Sequence, residues 1–141
     1  MDTPGAVLRR PEVAAFLADH PRGVLAWLDA DGSPRQVPVW IAADADRLLF
    51  NGPTGRDWPT RLLTERRVSL LVADDDRALE CWGTAEVDTD PARARDLVLA
   101  LTRRVYPVTS RPEMTQDLFR GDRLAVFSLV PAGSRTTGLG R

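Results

Sequence analysis

The sequence predicts a small antiparallel β barrel whose openings are closed by helices, and three observations carry that expectation. Six short apolar segments with strand character occur at 23–29, 33–42, 47–51, 67–73, 79–87 and 123–130. Polar turns separate most of them, notably Asp31-Gly32, Asp44-Ala45-Asp46 and Asp74-Asp75-Asp76. The element order is helix, three strands, helix, two strands, helix, strand. A doubly wound parallel sheet needs a helix between each strand pair, so this order excludes it. Closing the strands into a barrel removes the sheet edges that would otherwise stay unpaired.

The elements follow in order. Residues 1–10 read as a frayed N-terminal arm. Pro11 and Glu12 open a helix to about Ala18, with Val13, Phe16 and Leu17 at i, i+3 and i+4 forming one apolar stripe. His20-Pro21 stops it, and His20, the one histidine in the sequence, reads as a solvated helix cap. Gly23 to Asp29 and Ser33 to Ala42 form a hairpin about Asp31-Gly32. Pro34 and Pro38 lack an amide hydrogen, so the returning arm must be an edge or face an open groove along part of its length. Arg47 to Asn51 is the third strand, Arg67 to Ala73 the fourth. Leu79 to Val87 alternates with Gly83 inside it, which predicts a bent or bulged strand. Asp90 as N-cap and Pro91 at N1 start a long helix with Leu97, Val98, Leu101 and Val105 on its buried face. A second short helix spans Pro112 to Phe119. The last strand covers Arg123 to Val130, and 131–141 is a polar, extended C-terminal tail. No repeat or linker divides the chain, so residues 1–141 are one domain.

Composition bounds the function classes. A length of 141 residues supports a single buried core without disulfides. The hydrophobic share of 43% and charged share of 28% are those of a soluble globular protein, with no run long enough for a membrane span. No apolar h-region follows Arg9 and Arg10, so a secretory signal is not expected and a cytoplasmic location is. The lone Cys81 excludes an internal disulfide and any multi-cysteine metal site. Nineteen basic against twenty acidic residues give a net charge of −1, so no nucleic-acid partner is indicated. All the basic residues are arginines. Schiff-base and lysine general-base chemistry are therefore excluded, and any anion site must use guanidinium.

The stretch most suited to a ligand is Asn51-Gly52-Pro53-Thr54-Gly55-Arg56-Asp57-Trp58-Pro59, between the third strand and a brief helix over 60–65. Two glycines and a threonine leave main-chain amides uncovered, and Arg56 and Arg61 add positive charge, a combination that favours a phosphate. The alternative is an ordinary turn ending in a capped helix. Elsewhere the chemistry-bearing residues are sparse. Asp74-Asp75-Asp76 lacks the glycine and distant glutamate of a calcium loop and reads as a solvated turn. Glu80 and Glu86, six apart on one strand, are roughly 20 Å distant and cannot act as a pair. Cys81 reads as a core or interface residue. Trp40, Trp58 and Trp82 are either walls of an aromatic pocket for a planar ligand or ordinary core and contact residues.

Several segments resemble the pyridoxamine-phosphate-oxidase-like split-barrel family. They are Asp31-Gly32-Ser33-Pro34 with Val37-Pro38-Val39-Trp40, then Arg47 to Asn51, Gly55-Arg56, Arg67 to Val72 and Gly83 to Val87. They continue in order and spacing through the Asp90-Pro91-Ala92 helix start to about Arg135. The resemblance implies a six-stranded antiparallel split β-barrel, mainly β with helices, and a homodimer with two cofactor sites at the subunit interface. Family members bind FMN or the deazaflavin coenzyme F-420, and the deazaflavin-dependent reductases are the branch this chain looks most like. Carried over by position, Gly55 and Arg56 contact phosphate. Gln36, Val37, Pro38 and Trp40 face the ring, and Asn51, Pro53 and Thr54 adjoin it. The usual lysine and arginine that follow the loop arginine are here Trp58 and Thr60, with Arg61 one position along as a possible substitute. Trp58 and Trp82 are the expected substrate-pocket residues. The resemblance implies hydride transfer to a small conjugated substrate, with the reactivity on the cofactor and no catalytic side chain or metal. A flavin-, haem- or hydrophobic-ligand-binding barrel without turnover is the alternative from a different class.

Overall fold

A computed structural model describes residues 3–53, 57–88, 90, 92–93, 96–97, 99–100 and 124–140. Its strands are β1 (Arg22–Leu28), β2 (Pro34–Asp44), β3 (Arg47–Pro53), β4 (Arg67–Ala73), β5 (Ala78–Asp88) and β6 (Leu124–Thr137). All neighbouring pairs are antiparallel and close into a barrel in the order β1-β2-β3-β6-β5-β4. The chain is mainly β with few helices, as the strand pattern and the resemblance both predict.

Alternation builds the core. Val68, Leu70 and Val72 of β4 point inward, as do Leu79 and Cys81 of β5, Leu25, Val39, Ile41, Leu48 and Phe50, and all are buried. Phe50 and Phe127 stack across β3 and β6 with ring centroids 5.4 Å apart. Burial pushes the Cys81 thiol up to about 11, so it stays protonated and inert near neutral pH, in keeping with a core position.

The bulge expected at Gly83 is present. The β5–β6 register shifts between Trp82 and Gly83: Trp82 pairs with Gly133 and Gly83 with Pro131, which leaves Ala132 as the extra residue. A Cβ on Gly83 would lie 1.9 Å from the Val130 carbonyl oxygen, so the two backbones meet where only glycine fits.

Two segments differ from the sequence expectation. Residues 4–9 are a 3-10 helix (Pro4–Arg9) with Gly5 and Leu8 buried, not a frayed arm. A Cβ on Gly5 would lie 2.3 Å from the Asp46 carbonyl oxygen, so the arm is packed against the β2–β3 turn. The extended tail is the second half of β6, which pairs with β5 as far as Thr137; Leu139 then turns back into the core. The helices predicted over 90–105 and 112–119 fall wholly or largely outside the described residues. Asp90 does cap: its Oδ1 accepts from the Ala92 and Arg93 amides at 3.0 and 3.4 Å.

Helix α1 (Pro11–Asp19) covers one end of the barrel with Val13, Phe16 and Leu17. His20 at its C-cap is more engaged than a solvated cap. Its Nδ1 lies 2.8 Å from the Phe16 carbonyl oxygen and its Nε2 3.2 Å from Asp74 Oδ2. Asp74 also accepts from the Arg77 amide and guanidinium, and Arg77 lies over the Phe16 ring at 5.0 Å. The β4–β5 turn is thereby tied to α1.

The Arg77 side-chain hydrogen bond holds the Asp74 carboxyl below the usual aspartate range. A carboxyl depressed on folding adds stability above its unfolded value, near 4, and that stability is lost as pH falls through the folded value. Asp74→Asn is therefore expected to lower the melting temperature at pH 7, with the gap from wild type closing as the pH is taken below about 4. Thermal melts of both proteins across that range provide the check.

Candidate functional site

The geometry of β2 singles out one flank of the barrel. Along its whole first half, Pro34 to Trp40, β2 pairs with β1. With β3 it pairs only from Ile41 to Asp44. The flank of 34–40 turned away from β1 therefore has no strand partner, as the two prolines require. Successive side chains alternate across this stretch. Gln36 and Pro38 are exposed and Trp40 is half-buried, whereas Val39 and Ile41 are buried in the core. Val37 packs against the core with them. The four residues expected to face a ring are thus split: Gln36, Pro38 and Trp40 share the outer face and Val37 does not.

That outer face continues over β1, β4 and β5. Gln36 lies opposite Ala26, Ala26 opposite Ser69, and Ser69 opposite Trp82. One row along, Pro38 lies opposite Val24, and Val24 opposite Leu71. Val24, Leu71 and Trp82 are 38%, 43% and 38% exposed, an apolar patch unusual for the outside of a sheet. Because Ala26 and Ser69 are small, a depression of about 190 Å³ opens between Leu28, Pro34 and Arg67. Arg67 at its rim donates to both oxygens of Glu65 and holds that carboxyl down to about 2. Trp82 therefore lies on the same face as Gln36, across two intervening strands and roughly 14 Å away at the usual strand spacing. Its indole rests on Gly133 of β6, where a Cβ would come within 2.5 Å of the ring.

At the β3 end the expected residues separate. Asn51 is half-buried on the outer side of β3, next to Phe50, which pairs with Ile41 just beyond Trp40. Pro53 ends β3 opposite Leu124. Thr54, Gly55 and Arg56, the centre of the expected phosphate cradle, lie outside the described residues. Trp58, in helix α2 (Asp57–Arg61), is not a pocket wall. It is 6% exposed, with its ring centroid 6.2 Å from those of Trp27 and Phe127 and 6.3 Å from that of Phe50. The indole lies on Gly52, where a Cβ would come within 2.2 Å of two ring carbons. A bulky apolar ring at the mouth of an apolar barrel gains more by burial than by lining a wet cleft. Arg61 is partly engaged in the fold. Its Nε donates to the Leu28 carbonyl at 3.1 Å and its Nη1 to Thr64 Oγ1 at 3.4 Å, tying α2 to the end of β1.

No cluster of three or more metal-ligating side chains occurs among the described residues. Glu86 is paired with Arg47 at 2.8 Å. No helix among the described residues is long and apolar enough to cross a membrane.

The sequence matches the pyridoxamine 5'-phosphate oxidase family over residues 10–128. The chain belongs to that family. Solved structures share the fold at low identity. A conserved hypothetical protein from Mycobacterium tuberculosis is 21% identical, covering 91% of this chain and 83% of its own, with a TM-score of 0.75. The haem storage protein HutZ from Vibrio cholerae is 18% identical over 93% of this chain and 96% of its own, at 0.74. An F420 reductase is 24% identical over 96% and 98%, at 0.66. No curated protein matches the chain.

The Trp58–Gly52 contact makes a direct prediction. Gly52→Ala is expected to destabilise the fold by about 1–3 kcal/mol through overpacking, and Trp58→Ala by about 3–5 kcal/mol. In the double variant the cost of Gly52→Ala should largely vanish, because its Cβ no longer meets the indole. Urea denaturation of the four proteins as a double-mutant cycle measures this coupling.

Proposed function

We propose that the protein is an oxidoreductase that uses a deazaflavin coenzyme of the F-420 type, with FMN as the alternative, acting on a small conjugated organic substrate. The carrying observation is the stretch of β2 that β3 does not cover, where Gln36 and Pro38 are exposed and Trp40 is half-buried on the same outer face. A planar ring fits this flank, with the apolar and aromatic surface of Pro38 and Trp40, and the glycine-bearing stretch with Arg56 follows β3 in the sequence. The solved F420 reductase of the same fold supports the choice of coenzyme.

When bound, the coenzyme supplies a hydride-carrying carbon. The chain's part is orientation and dryness. Gln36 offers an amide to the polar edge of a ring, Pro38 and Trp40 offer apolar surface, and Gly55 and Arg56 take the phosphate. The depression of about 190 Å³ on one barrel falls below the roughly 300 Å³ at which small-molecule pockets usually begin. A second copy seated on the patch of Val24, Leu71 and Trp82 would supply the missing wall and exclude water, which is why a homodimer belongs to this proposal. Trp82, at the margin of that face, is the residue best placed to touch substrate.

One observation favours a second reading, a barrel that holds a flavin or haem without turnover. Trp58, which stands where the family's lysine is expected, is engaged in packing, and Arg61, the possible substitute cation, in a main-chain hydrogen bond. The haem storage protein of the same fold is consistent with such a role.

Titration of the purified protein with oxidised F-420 and with FMN, followed by fluorescence, tests the reading. Saturable binding of one of them is expected, weakened by Arg56→Ala by about 1.5–3 kcal/mol as a charge-assisted contact is lost. Failure of both to bind below the millimolar range ends the reductase proposal. Binding of either without oxidation of its reduced form by quinone or enone acceptors selects the second reading.

A further inference from the structure

We propose that Gly133 is a positioning residue for the substrate: it seats the Trp82 indole over bare backbone and so keeps the floor of the outer face clear for a flat conjugated molecule. This rests on the reductase reading above and adds to it what sets the width of the substrate space. The bulge in β6 brings the two residues together. Before it, the odd-numbered residues face inward, and Ala125, Phe127 and Leu129 are buried. Ala132 is the extra residue, so beyond it the alternation inverts and Gly133 reaches the outer face, opposite Trp82. Without the bulge Ala132 would stand there, with a methyl group under the ring. At Gly133 a Cβ would lie 2.5, 2.7 and 2.9 Å from Cζ2, Cε2 and Nε1 of the indole. Three adjoining ring atoms thus fill the volume that any side chain at this position needs.

The seat decides which way the ring leans. β5 lies between β4 and β6, and an indole resting on Gly133 leans toward β6. On the side it leaves, Trp82 pairs with Ser69, Ser69 with Ala26, and Ala26 with Gln36. Ser69 and Ala26 are small and half-buried, and the depression of about 190 Å³ opens over them. Trp82 is not among the residues lining it, as the lean requires. Side chains opposite one another across antiparallel strands are only roughly 5 Å apart at Cβ, and an indole spans more than that. Turned toward β4, the ring would therefore cover Ser69 and close the depression. An open floor bordered by an aromatic side chain suits a flat conjugated molecule, which gains by burial of its faces and by contact with the ring.

The test uses the full chain with whichever of F-420 and FMN it binds. Gly133→Ala, Trp82→Ala and the double variant are compared with wild type by calorimetric titration with menadione in the presence of the oxidised coenzyme. Gly133→Ala is expected to weaken menadione binding about tenfold, because the displaced ring covers Ser69, and to leave coenzyme affinity within about twofold. The double variant should bind menadione as Trp82→Ala does, since no indole remains to be displaced. Iodide quenching of tryptophan fluorescence follows the ring itself and should change in Gly133→Ala. Trp82 is 38% exposed, whereas Trp27 and Trp40 are half-buried and Trp58 is buried. If Gly133→Ala does not fold, Ser69→Leu, which fills the same floor from below, decides and should weaken menadione likewise. Absence of saturable menadione binding, affinity unchanged by the deciding variant, or a loss that the double variant does not relieve overturns the positioning role; intact coenzyme binding then leaves the reductase reading standing. A Trp82 that iodide does not reach in the wild type also overturns it. Failure of both coenzymes to bind ends the reductase reading, and the inference with it.

Discussion

Two prolines four residues apart set the terms for this barrel. Pro34 and Pro38 have no amide hydrogen, so the stretch of β2 that contains them cannot carry a ladder on both sides. The fold resolves the conflict by giving β3 only the last residues of β2 and sending β3 on to meet β6. Closure is retained because β6 is long enough to serve β3 with its first half and β5 along its length. The same division leaves the first half of β2 with a strand neighbour on one side only, in an otherwise closed sheet.

The two ends of the barrel are sealed by different means. At one end α1 lays an apolar stripe over the core and is fastened by His20, Asp74, Arg77 and Phe16. At the other a five-residue helix delivers one indole onto a bare glycine. So short a helix has little stability of its own, and tertiary contacts must hold it. Trp58 and the Arg61 bond to the Leu28 carbonyl are those contacts. Through Trp58 the segment contributes to the core.

Much of the fold was legible because strands announce themselves by alternation, as in Val68-Ser69-Leu70-Leu71-Val72, and because Asp-Gly turns and prolines mark their ends. The bulge was legible because a glycine inside an alternating strand has few other uses. The second half of β6 was not, since Pro131-Ala132-Gly133-Ser134 carries no apolar alternation; what keeps it extended is the demand of β5 for a partner, a long-range fact. The 3-10 helix at 4–9 is too short for a periodic signal. At the candidate site, the resemblance names four residues of one strand together, and it is alternation in the folded sheet that separates Val37 from Gln36, Pro38 and Trp40. Arg61 and Trp58 could be placed only once their partners, Leu28 and Gly52, were brought near by folding.

The position of β6 in the chain has a consequence for biosynthesis. β1 to β5 are translated before it, yet β3 and β5 meet only through it. A nascent chain therefore emerges as two open ribbons, β1-β2-β3 and β4-β5, joined through the β1–β4 pairing, with the core faces of β3 and β5 exposed. Closure waits for a pairing of high sequence separation, which is slow to form and leaves apolar strands uncovered meanwhile. Interruption of synthesis before Leu124 should yield an aggregation-prone species rather than a smaller folded domain.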